Sequence, residues 1–98
     1  MEITKRIDGQ NYIFELEGTL DTTTAPELEK AVNENFNEAN SFVFDFSKIK
    51  YISSAGLRVL LTTHKLMISK GGLKITNINE MVKNVLDMTG LSSVLNIE

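Results

Sequence analysis

The chain has 98 residues, 42% hydrophobic and 23% charged, which fits one small soluble domain with a single core. Thirteen acidic against ten basic residues leave a net charge of −3; with no Lys/Arg cluster, binding to nucleic acid or an anionic membrane is not expected. There is no cysteine, which excludes disulfides and thiol chemistry, and neither an apolar leader nor a run of membrane-spanning length, so a cytoplasmic protein is expected.

In chain order, Ile3–Ile7 and Tyr12–Glu17 read as two short strands joined by the hairpin signal Asp8-Gly9-Gln10. Thr24-Ala25-Pro26-Glu27 opens a helix, with Thr24 as N-cap, Pro26 in the first turn and Glu27 completing a capping box. Its apolar stripe is Leu28, Ala31, Val32, Phe36 and Ala39. Ser41–Phe46 is an apolar run of strand length. Leu57, Leu60, Leu61, His64 and Ile68 then recur at helical spacing. They predict a helix from about Ala55 to Lys70, closed by a left-handed cap at Gly71-Gly72. Val59 and Leu66 lie off that stripe, as extra core or as an exposed strip.

Leu73–Thr76 is a fourth strand, and Glu80–Met88 a third helix with Met81, Val82, Val85 and Leu86 inward and Gly90 closing it. Val94–Ile97 is the last strand. The order ββαβαβαβ predicts a single α/β domain over residues 1–98. It would be a mixed, mostly parallel sheet of about five strands, the third one central, flanked by about three helices. Both faces of such a sheet need cover, yet the chain leaves little room for a fourth helix.

Catalytic readings fail on simple geometry. His64 is the only histidine, and a satisfied histidine on an apolar stripe is the plainer account of it. It lies ten residues beyond Ser54, about 15 Å along a helix, which is too far for a Ser-His pair. The chain has no nucleophile elbow, no phosphate-binding P-loop and no dinucleotide fingerprint. Asp45 lacks the acidic pair at the end of the first strand that a phospho-accepting receiver also needs, since Ile3-Thr4-Lys5-Arg6 offers none. No catalytic residue, metal ligand or cofactor is therefore assigned, and the chain reads as a non-enzyme.

What stands out is Tyr51-Ile52-Ser53-Ser54-Ala55-Gly56-Leu57-Arg58, which joins the third strand to the second helix. Serine is a preferred N-cap, so one of Ser53 or Ser54 is expected to cap that helix. Gly56 permits close approach in its first turn. Asp21, before Thr22-Thr23-Thr24, is suited to organise its own loop through side-chain-to-backbone bonds, and can face a partner as well.

The segment from Asp45 to Leu57 resembles the signature of STAS domains of the bacterial anti-sigma factor antagonist type. Glu17-Gly18-Thr19-Leu20-Asp21 resembles that family's strand-to-loop element, and Leu86-Asp87-Met88-Thr89-Gly90-Leu91 its third helix and the turn after it. The resemblance implies a phosphorylation-controlled interaction switch. Unphosphorylated, it would bind an anti-sigma factor that is also a serine kinase and so release a sigma factor; a PP2C-type phosphatase would reset it. By the same resemblance Ser54 is the phosphate acceptor, with Ser53 a second candidate. The resemblance likewise implies a partner-binding surface made of Asp21, Thr22, Ser53, Ser54, Gly56 and Leu57. Two positions depart from the pattern: Ser53 stands where phosphorylated members usually carry Asp, and Ala55 where they carry Ser or Thr. The alternatives are a STAS scaffold in another signalling or transporter complex, and a small nucleotide-binding domain using the Ser-Ala-Gly turn as a phosphate nest.

Overall fold

The computed structural model describes residues 1–98. The elements are β1 (Glu2–Asp8), β2 (Asn11–Leu20), α1 (Ala25–Asn35), β3 (Ser41–Ile52), α2 (Ser54–Met67), β4 (Leu73–Thr76), α3 (Glu80–Met88), a 3₁₀ turn (Leu91–Ser93) and β5 (Asn96–Ile97). The five strands lie in sequence order across one sheet, so β3 is central as expected. β1 and β2 form an antiparallel hairpin, with Asp8 opposite Asn11 and Gly9 left-handed at φ 64°. Every later pairing is parallel.

Tyr12, Phe14 and Leu16 on β2, Phe42, Phe44 and Phe46 on β3, and Leu73 and Ile75 on β4 share one face of the sheet. Together with Leu28 and Val32 of α1, Leu60 and Met67 of α2, and Val82 and Leu86 of α3, they belong to one core of 21 buried residues. Each of the large side chains contributes about 2–3 kcal/mol by leaving water. The reverse face carries Arg6, Ile13, Glu15, Val43, Asp45, Lys74 and Thr76, none of them buried. The expectation that both faces need cover is thus corrected. An open sheet tolerates a wet side when alternate residues are polar, and here most of them are.

β3 runs six residues past the apolar run that announced it. Two register shifts against β2, between Glu15 and Glu17 and between Gly18 and Thr19, break the alternation, so the buried positions after Phe46 are Ile49 and Ile52. Asp45 holds the first irregularity: its carboxylate accepts from the Ser47 amide at 2.9 Å and from the Asn77 side chain at 3.1 Å. Desolvation raises the Asp45 pKa, but those bonds outweigh it and keep the carboxyl below its usual value.

α2 is turned by about one residue from its expected orientation. Gly56, Val59, Leu60, Thr63 and Met67 are its buried positions, whereas His64 is half-buried and Ile68 is 66% exposed. Gly56 is the cause, because the helix packs with its smallest residue against the sheet. Val59 is therefore core, and Leu66 stays exposed. The helix ends at Met67, three residues early; the Gly72 amide, at φ 93°, returns to the Met67 carbonyl at 3.1 Å. On α3, Val82 and Leu86 are buried and Val85 half-buried, but Met81 is 52% exposed because it lies one residue short of the inward stripe. β5 is only two residues long.

Candidate functional site

The site forms where two adjacent parallel strands end together. Leu20, the last residue of β2, is paired with Ile52, the last of β3. Asp21 and Ser53 are the next residues of each strand, which puts them on one edge of the sheet. The Ser53 amide donates to the Leu20 carbonyl at 2.9 Å, joining the two loops directly.

The Asp21 turn is built by hydroxyls. One carboxylate oxygen of Asp21 accepts from the Thr23 amide at 2.9 Å, the Thr24 amide at 3.1 Å and the Thr23 hydroxyl at 2.8 Å. The other accepts from the Thr19 hydroxyl at 3.1 Å. The Asp21 carbonyl accepts from the Ala25 amide at 2.8 Å. Asp21 therefore acts as the N-cap of the turn that leads into α1. The expected capping box of Thr24 and Glu27 does not form. Thr24 already has helical backbone angles, and its buried hydroxyl instead donates to the Thr19 carbonyl and accepts from the Asp21 amide. The Thr23 hydroxyl and amide, then the Thr24 amide, hold the Asp21 pKa down at about 2.

Ser53 precedes α2 in extended conformation, and its carbonyl accepts from the Leu57 amide at 3.0 Å. Its side chain makes no capping bond, and its Oγ is buried with no hydrogen-bond partner. The expectation that a serine hydroxyl caps α2 is therefore corrected: the strand-to-helix bond at Leu20 fixes Ser53 with its side chain turned inward. Ser54, the first residue of the helix, is exposed. Of the two hydroxyls, only that of Ser54 is free to react with an external group.

Gly56 is buried, and a Cβ there would stand 2.7 Å from Leu20 Cγ, 2.8 Å from Ile52 Cγ1 and 2.8 Å from the Leu20 carbonyl oxygen. Leu57 is half-buried and packs against the core, while Thr22 is exposed. Thr24, expected only as an N-cap, braces Asp21 together with Thr19, and Tyr51 is 47% exposed at the end of β3; sequence reasoning gives neither Thr19 nor Tyr51 a role of its own. The density of hydroxyls in Thr19-Leu20-Asp21-Thr22-Thr23-Thr24 was the available signal. A surface cleft of about 570 Å³, lined by residues such as Glu17, Lys48 and Lys50, contains none of the candidate residues. No three His, Asp or Glu side chains are grouped to hold a metal. No helix is long and apolar enough to cross a membrane.

A family model described as the STAS domain matches residues 2–98, and the chain belongs to that family. An anti-sigma F factor antagonist of Paenibacillus polymyxa is 30% identical over 88 residues, covering 87% of this chain and 75% of that protein. An anti-sigma factor antagonist of Mycobacterium paratuberculosis shares the fold, with a TM-score of 0.88 at 21% identity over 98% of this chain and 83% of that one. So does the phosphorylated form of the Bacillus cell fate determinant SpoIIAA, with a TM-score of 0.76 at 13% identity over 99% of this chain and 91% of that one. The Paenibacillus relative is an anti-sigma factor antagonist, a regulatory protein rather than an enzyme, and the chain is classed with it; the two solved structures carry the fold alone.

Proposed function

We propose that the chain, acting as one STAS domain over residues 1–98, is an anti-sigma factor antagonist switched by phosphorylation of Ser54. Unmodified, it binds an anti-sigma factor that is also a serine kinase, through a surface around Asp21, Thr22, Ser54 and the first turn of α2. Binding there releases the sigma factor.

The observation that carries this reading is the contrast between two adjacent serines at the joined ends of β2 and β3. Ser53 Oγ is sealed off, and Ser54 is exposed at the first residue of α2. The names of relatives supply the class of partner. In the transfer step the Ser54 oxygen bonds to the γ-phosphorus of the kinase's ATP, the bond to ADP breaks, and the hydroxyl proton passes to a base on the kinase. The product carries nearly two negative charges at the start of a helix, where free amides and the positive dipole end favour them. The fold tolerates the phosphate, but a partner packed over Ser54 meets added bulk and an unpaired charge. A PP2C-type phosphatase then restores the binding form.

Incubation with labelled ATP, first alone and then with a candidate anti-sigma factor serine kinase, tests the reading. Labelling of Ser54 only when the kinase is present is the expected result. Labelling without any kinase would point to a nucleotide-using domain instead.

A further inference from the structure

We propose that Arg58 is the second element of this switch: a phosphate on Ser54 draws Arg58 into an ion pair within the domain and withdraws it from the partner-facing surface. This rests on the reading that Ser54 is the modified residue.

Ser54 and Arg58 are both exposed and stand four residues apart on α2. On a helix that spacing stacks two side chains on one face, with Cβ atoms about 6 Å apart. Arg58 has no counter-charge of its own. The protein's ion pairs engage the N-terminus, Arg6, Lys48, Lys74 and Lys83, and leave Arg58 out.

The cause lies in the sequence. No Asp or Glu occurs between Asp45 and Glu80, a stretch that carries Lys48, Lys50, Arg58, Lys65, Lys70 and Lys74. Three of these six are occupied elsewhere. Lys48 and Lys74 pair with Glu17 and Glu98, and Lys70 donates to the carbonyls of Phe36 and Ala39 at the end of α1. Arg58 remains an uncompensated charge one turn from the Ser54 hydroxyl.

A phosphate at Ser54 supplies what this face lacks. Its oxygens match the guanidinium fork, which forms two parallel N–H···O bonds where a lysine forms one. The order is also the favourable one, with the anion N-terminal to the cation. Before modification Ser54 carries no charge, and Arg58 stands ready for an acidic group of the partner. After modification the partner has lost that cation as well as meeting the phosphate.

The test places phosphoserine at position 54 by chemical ligation or genetic encoding, so that it depends on no kinase. Phosphorus NMR then follows the second ionisation of the phosphate with pH in the otherwise native chain and in its Arg58→Lys and Arg58→Ala variants. The phosphate of the native chain should titrate about 0.2–0.4 unit lower than that of Arg58→Ala, with Arg58→Lys in between. The Arg58 Nε–H resonance should also shift on phosphorylation. Arg58 is exposed within a helix, so alanine suits the site, and amide spectra of each variant report its fold. Coincident titrations in the native chain and Arg58→Ala, with an unmoved Nε–H signal, would overturn the pairing. Absence of kinase labelling at Ser54 strikes the proposed function instead and is read in a separate experiment.

Discussion

The amide of Ser53 donates to the carbonyl of Leu20 at 2.9 Å, so the start of α2 is fastened to the end of β2 rather than only to its own strand. Gly56 lies against the same carbonyl, and an added methyl would come within 2.8 Å of it and 2.7 Å of Leu20 Cγ. The two loops that carry Asp21 and Ser54 are held in one arrangement by this contact.

Gly56→Ala therefore sets two effects against each other. Alanine gains about 1 kcal/mol of helix propensity over glycine. A methyl forced onto backbone costs about 1–3 kcal/mol and lifts the first turn of α2. The clash should win, giving a lower urea midpoint and shifted amide resonances at Leu20 and Ser53. An unchanged midpoint would mean that the first turn of α2 can move freely.

Ser53→Ala should behave in the opposite way from a usual cap deletion. A capping serine costs about 1 kcal/mol when replaced by alanine. Ser53 Oγ makes no capping bond and is buried without a partner, so removing it relieves an unsatisfied polar group. Urea unfolding should show unchanged or slightly higher stability. A loss of full cap size would show that the hydroxyl is bonded in solution.

The sequence announces this fold well because its signals are local and agree with one another. Leu73–Thr76 and Glu80–Met88 lie where periodicity puts them, with Asn79 capping α3 through a 2.8 Å bond from the Val82 amide. It announces orientation less well. Nothing in the spacing of Leu57, Leu61 and Ile68 reveals that α2 must turn its glycine to the sheet, since that depends on Leu20 and Ile52 across the fold. β3 looked short because its irregularities break the alternation that identifies a strand. At the site, Asp21 and Ser54 stood out as residues, and the hairpin and strand order brought their loops to one edge. That Ser53 faces inward and Thr24 gives its hydroxyl to Thr19 depends on contacts of β2 and β3 with the starts of α1 and α2 that no local sequence signal carries.

Asp21 gives a pH signature. Its folded pKa of about 2 is depressed, chiefly by the Thr23 hydroxyl and then by the Thr23 and Thr24 amides. In the unfolded chain the value is about 3.9. Its contribution to stability is therefore present above about pH 4 and is lost as the pH falls toward 2. Asp21→Asn keeps an N-cap acceptor but does not titrate. The melting-temperature gap between native protein and Asp21→Asn should be constant above pH 4.5 and narrow toward pH 2. A gap independent of pH would show that the carboxylate charge adds nothing. Asp21→Ala removes the carboxylate's bonds to Thr19, Thr23 and Thr24 and should lower the melting temperature by several degrees at neutral pH, with weaker partner binding.

The sharpest prediction separates the two serines. Ser54→Ala should abolish labelling by the cognate kinase, while Ser53→Ala keeps it, because the Ser53 hydroxyl is buried and that of Ser54 is exposed. Ser54→Asp places a charge in the partner interface and should lose on the order of a few kcal/mol of binding, the scale set by burying an unpaired charge. Its stability should hold or rise by about 0.5 kcal/mol, since an acidic group is favourable at a helix start. Titration calorimetry with the kinase and thermal melts of the variant alone keep the two quantities apart. Phosphate found by mass spectrometry only on Ser53 would move the switch to the other hydroxyl and require the start of α2 to open. Full binding by Ser54→Asp would leave the charge without a role in release.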